Sequence, residues 1–198
     1  MTGEDKKIFM KDFFEKYYEK ERSVSEALVA GVKIPSEMVA YELPTSKGWQ
    51  VWKLIPSTVT DNDIRGLEET LGVTLPECLR AFLTTYHHRF DGLIGRNDIG
   101  NPFKSIENAY NPHLVRNGYL PFGWDSDDYY LRCIDLSASA DDEKCPVVQI
   151  DHETLFDITE EYEDEGKIIP KEELLPYIEE VSDNFYEYLN VVLNKEIE

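Results

Sequence analysis

The first apolar pattern in the chain has a helical period. Phe9, Phe13 and Tyr17 recur at i, i+4 and i+8, Met10, Phe14 and Tyr18 run parallel, and Lys and Glu fill the rest. This predicts an amphipathic helix over residues 4–22, which either packs on the body of the protein or docks a partner. Residues 23–48 carry Gly31, Pro35, Pro44 and Gly48 and read as a connector with short elements. Thr60 then reads as an N-cap, with Asp61 and Asp63 in the first turn, where they complement the helix dipole. Ile64, Leu67 and Leu71 mark one face, and Gly72 stops that helix. Pro76 opens a second helix that buries Leu79, Phe82, Leu83 and Tyr86. Residues 87–104 read as loop or short hairpin. A weaker helix is predicted over 105–116, with Ile106, Tyr110 and Leu114 aligned.

From Tyr119 the period changes. Residues 129–136 are rich in strand formers, and residues 146–150 form a second strand that starts at Pro146, where no amide is needed. The polar stretch between them, 137–144, predicts an antiparallel pair. Residues 152–170 read as an acidic connection. A last helix is predicted to carry the stripe Ile178, Val181, Phe185, Tyr188, Leu189 and Val192. Helices around consecutive strands predict an α+β domain with a mostly antiparallel sheet flanked by helices, plus an extra N-terminal helix. The expected organisation is an N-terminal helical extension and connector over 1–48 and one domain over 49–198.

Composition supports a packed domain. Of 198 residues, 41% are hydrophobic and 12% aromatic, more than a disordered acidic chain carries. Charge adds a second constraint. The net charge is -20. Residues 1–120 hold 17 acids and 15 bases, while residues 121–198 hold 23 acids and five bases. Such a back half repels nucleic acid and anionic membrane and attracts a basic protein. No apolar run approaches the ~18 residues of a membrane helix. The opening MTGEDKKIFMKDFF has no apolar core of a secretion signal. Three widely spaced cysteines, Cys78, Cys133 and Cys145, form no CxxC motif and suggest a reducing compartment. The cytoplasm is the expected location.

The order of motifs resembles the SUKH superfamily. Trp52-Lys53-Leu54-Ile55-Pro56 is followed by Thr60-Asp61-Asn62-Asp63-Ile64, Leu67-Glu68, Leu71-Gly72, and Leu75-Pro76-Glu77 with Leu79-Arg80-Ala81-Phe82-Leu83. Later come Leu120-Pro121-Phe122-Gly123, Ile134-Asp135, Pro146-Val147, Asp151-His152-Glu153, and a closing Asn184-Phe185 with Tyr188-Leu189. The resemblance covers residues 49–193 and rests on the order of motifs, none of which is specific alone. After the Pro-Phe-Gly motif the family often has a glycine-rich turn, whereas here Trp124-Asp125-Ser126-Asp127-Asp128 has no glycine. The resemblance implies an antiparallel sheet covered by helices and no catalytic function. Many bacterial members are immunity proteins that bind and neutralise a toxin, often a nuclease, and eukaryotic relatives resemble signalling interaction modules.

Two stretches are candidate partner-binding surfaces. The first is an acidic edge of Asp125, Asp127 and Asp128 beside an exposed Trp124, suited to a partner's Arg or Lys; the more ordinary reading is a solvated turn with a packed Trp. The same oxygens lack the glycine and terminal Glu of a calcium loop, so no metal is expected. The second is the run Glu160, Glu161, Glu163, Asp164 and Glu165, either a solvated face or a surface that speeds capture of a basic partner. Among the histidines, adjacent His87 and His88 on a helix would point to different faces and share no metal, and His152 stands in no HExxH or GxSxG context. Asp135, ending an apolar strand, is the carboxylate expected to be partly buried.

The expected protein is therefore non-enzymatic and without a cofactor, a monomer or homodimer. It would neutralise a basic, possibly nuclease, toxin domain through an acidic surface. The alternative is a housekeeping interaction module in a cellular complex.

Overall fold

A computed structural model describes all residues except 24–27, 32–33, 45, 91–93, 126, 140, 164–165 and 196–198. Helix α1 spans Gly3–Arg22. Thr2 and Asp5 close a reciprocal capping box at its start, and Lys20 and Arg22 sit in its last turn, where a cation favours the dipole. Both apolar rows of the sequence pattern face inward. Met10, Phe13, Phe14 and Tyr17 are buried, and Phe9 and Tyr18 pack at the border of the same core. Lys20 also donates to the Leu193 carbonyl at 2.8 Å, so α1 holds the end of the last helix.

The connector contains strand β1 (Val29–Ala30), a 3₁₀ turn at Ser36–Met38 and β2 (Val39–Glu42), and β3 (Gln50–Trp52) follows it. They form an antiparallel sheet in the order β1-β3-β2. Strand β4 (Ile55–Pro56) leads to α2, Asp61–Leu71. Thr60 accepts from the Asp63 amide, and Gly72 ends α2 at φ 69°, a left-handed conformation that suits glycine. Helix α3 spans Glu77–Thr85, with Pro76 at the N-cap, one position earlier than expected.

The structure differs from the sequence expectation at four places. First, α3 stops at Thr85, and His87 lies in β5 (Tyr86–His87), which pairs with β4. His87 and His88 are thus strand and bridge residues, not helical neighbours. Second, the helix expected over 105–116 is two pieces, α4 (Lys104–Ala109) and α5 (Pro112–Arg116). Pro112 disfavours a helical Asn111, whose side chain instead accepts from the His113 and Leu114 amides at 2.9 and 3.1 Å. Third, the expected acidic connection is helix α6, His152–Glu163, capped by Asp151, which accepts from the Thr154 amide at 2.9 Å. Fourth, the last apolar stripe is divided. After α7 (Lys171–Leu174), β9 takes Glu179–Ser182, and Asn184 in an extended conformation caps α8, Phe185–Asn194.

The principal sheet is antiparallel, in the order β6 (Tyr119–Trp124), β7 (Tyr130–Asp135), β8 (Val147–Asp151), β9. The expected β7–β8 pair forms with Tyr130 opposite Asp151 and Ile134 opposite Val147. Strand alternation sorts side chains to two faces. Leu120, Phe122, Ile134 and Val147 join a core with α1, α2, α3 and α8. Tyr119, Leu131, Cys133, Val148 and Ile150 join a second core with Leu114 of α5, Leu155 of α6 and Leu174 of α7. The fold is α+β, with the sheet between two helical layers. Cys78, Cys133 and Cys145 are all buried.

Candidate functional site

A groove of about 690 Å³ opens on the second face of the sheet. Residues 108–111 between α4 and α5 form one wall, and the first three turns of α6 form the other. Trp124 and Leu131, paired in register across β6 and β7, lie at its base with Leu155. Tyr110 and Phe156 stand at its mouth, 43% and 62% exposed, large aromatic areas to leave in water. His152 and Thr159 also line it, with Glu153, Asp157 and Glu160. The three acids recur at i, i+4 and i+7 and share one side of α6. Among the described residues, no Lys or Arg lines the groove.

The aromatic side is braced. The His152 ring lies between Trp124 and Tyr129, with centroids 5.9 and 5.3 Å apart and rings nearly perpendicular. His152 Nδ1 donates to the Tyr129 carbonyl at 2.8 Å. The Tyr129 hydroxyl donates to Asp151. This bond pushes the phenol up to about 12 and holds the Asp151 carboxyl below the usual carboxylate range. One carboxylate thus both caps α6 and fixes a ring beside the groove.

The expected acidic edge is rearranged. Asp125 is buried, and its Oδ1 accepts the amides of Tyr129 and Tyr130 at 2.7 and 3.0 Å. It closes the β6–β7 turn and offers no carboxylate to a partner, and Trp124 beside it is half-buried rather than exposed. Asp127 and Asp128 are exposed. Asp128 adopts φ 56°, the left-handed conformation that a glycine would otherwise supply. Asp tolerates it better than most residues, which explains how the turn forms without glycine. Of the second stretch, Glu160 lines the groove with Trp124, and Glu161 and Glu163 lie in the end of α6. Asp164 and Glu165 lie outside the described residues. Asp135 is half-buried and accepts from the Ser137 amide at 2.9 Å.

Sequence reasoning reached Trp124 and Glu160 but not Tyr110, Glu153, Phe156 or Asp157. The spacing of Glu153, Asp157 and Glu160 was the available signal, hidden because the segment read as a connector.

The other histidines serve the interior. His87 Nε2 accepts from the Thr58 amide at 2.9 Å, and Nδ1 donates to Asn97 Oδ1 at 2.8 Å. The Asn97 amide nitrogen donates onward to the Leu83 carbonyl, which fixes this orientation. His113 Nδ1 accepts from the Ile169 amide at 3.1 Å. His88 is wholly buried among Phe14, Phe82 and Phe90, with no hydrogen-bond partner on either ring nitrogen among the described residues. Burial pushes its pKa down to about 3, with a smaller contribution from His87.

Among the described residues, no helix is long and apolar enough to cross a membrane. A search of curated proteins gives no match. A model of the SMI1/KNR4 family (SUKH-1) matches residues 58–191, from the residues before α2 into α8. That span includes every residue that lines the groove, and with it the chain belongs to the SMI1/KNR4 family (SUKH-1).

Proposed function

We propose that this protein acts without catalysis, as an immunity-type protein that binds a basic toxin domain in a stoichiometric complex. The observation that carries this reading is the groove. It leaves Phe156 and Tyr110 in water beside three carboxylates, with no Lys or Arg among the described residues that line it. Exposed aromatics surrounded by polar groups are the usual anchors of protein interfaces. The carboxylates of the back half extend the same sign of charge around them, with Asp127 and Asp128 as exposed examples. For a basic partner such a field raises the association rate toward ~10⁸ M⁻¹s⁻¹ at low salt. A nuclease domain, itself basic to hold phosphate, is a partner of this charge. The histidines support a non-catalytic role, because three are engaged or enclosed in the interior and His152 braces the aromatic side.

The test begins with the tagged full chain as bait in nuclease-treated lysate of its source organism, at low and at high salt. The expected result is one basic protein in near-equal amount, retained at low salt and released at high salt. Expressed alone in a test host, that protein should arrest growth, and co-expression of this chain should relieve the arrest. Capture of several components of one cellular assembly, none of them toxic, would overturn neutralisation and favour a scaffold role.

A further inference from the structure

We propose that the groove is a socket for an arginine side chain of the partner protein. This deepens the protein-binding reading and rests on it. Charge selects the occupant first. Glu153, Asp157 and Glu160 face one space, and among the described residues none of them forms an ion pair. Like charges three and four residues apart weaken a helix, and a cation from outside relieves that repulsion.

Shape and lining then choose among cations. The base offers Ala109, Leu131 and Leu155 to an aliphatic stem. The rings of Trp124, Tyr110 and Phe156 border the same space. A guanidinium is planar and weakly hydrated, stacks on rings, and forks onto carboxylates, whereas an ammonium is compact and strongly hydrated. One polar atom also lacks a partner: Thr159 Oγ1 is buried at the groove wall without a hydrogen bond among the described residues. A hydroxyl both donates and accepts, and this one would have to turn toward the groove to take one of arginine's five N–H groups. The cavity volume lies within the ~300–1,000 Å³ of ordinary ligand sites, enough for an arginine and its neighbours in an extended segment.

The test uses the ¹⁵N-labelled full chain and capped tripeptides Ala-Arg-Ala, Ala-Lys-Ala and Ala-citrulline-Ala at millimolar concentration, with spermidine in parallel. The Trp124 indole and the amides of residues 152–160 report binding. The arginine peptide should shift them saturably, the lysine peptide about tenfold more weakly, and the neutral citrulline peptide not at all. Phe156→Ala and Glu160→Gln should each weaken the arginine peptide by about fivefold or more, and Asp127→Asn by less than about twofold. Equal binding of citrulline, equal binding of lysine, tighter binding of spermidine, or no shift at Trp124 would each overturn the socket. The protein-binding reading fails separately. If the peptides fail but reversing Glu153, Asp157 and Glu160 to Lys still releases the captured partner, only the arginine assignment falls. If the arginine peptide binds as expected while the reversed protein keeps its partner, the socket stands and the function assigned to it falls.

Discussion

Aromatic rings surround a histidine in two parts of this molecule, with opposite outcomes. Around His88, the rings of Phe14, Phe82 and Phe90 stand 4.9, 5.6 and 5.3 Å away, and all are buried. Around His152, Trp124 and Tyr129 stand 5.9 and 5.3 Å away, and the neighbouring Phe156 and Tyr110 are open to solvent. The first cluster is completed by α1, which lies outside the family match and delivers Phe14 from a distant part of the sequence. Among the described residues no such element covers the second, and its wall carries carboxylates beside the apolar Leu155 and Phe156. The covered cluster contributes stability, and the role proposed for the uncovered one, with its uniform charge, is recognition. The two should therefore respond oppositely to substitution.

The largest effect is expected in the covered cluster. Phe14→Ala should cost about 3–5 kcal/mol in chemical denaturation, because α1 cannot refill the space between Phe82 and His88. A cost below about 1 kcal/mol would mean that α1 is not part of the core. Next comes pH. The folded chain keeps His88 neutral down to about pH 3, whereas the unfolded chain takes up the proton near 6.5. Stability present above pH 6.5 should therefore fall as pH drops toward 3, by on the order of 4 kcal/mol from this residue. In His88→Leu the slope of stability against pH should flatten over that window, whatever the absolute stability of the variant. Thr60→Ala should cost about 1 kcal/mol by removing one half of a capping box. The smallest effect on folding belongs to the open cluster. Phe156→Ala should change stability by less than about 0.5 kcal/mol, while partner capture is lost. Loss of both together would erase the contrast.

What the sequence disclosed depended on how local the deciding interaction is. Helix α2 was legible because Thr60, Asp63 and Gly72 carry its start and stop within the helix itself. The β7–β8 pair was legible for the same reason, with two apolar runs joined by a polar turn. The boundary between β9 and α8 was not, because Ile178 and Val181 fit both a strand and the helical stripe. Only the Asn184 side chain, accepting from the Tyr186 and Glu187 amides, decides it. Helix α6 was obscured because its acids outnumber its apolar residues, leaving Leu155 as its fully buried contact to the second core. The groove lay further from view, since it forms only when residues 108–111 meet α6 across the end of β6. Asp125 shows the converse. An acid in a charged turn looked like surface until its two amide partners placed it inside.

The most direct measurement is the affinity of the captured partner for the wild-type chain and for the chain with Glu153, Asp157 and Glu160 reversed to Lys, with the same denaturation midpoint required of both. If the groove binds the partner, the reversed protein folds as before and loses it. An unchanged affinity in the reversed protein would contradict it.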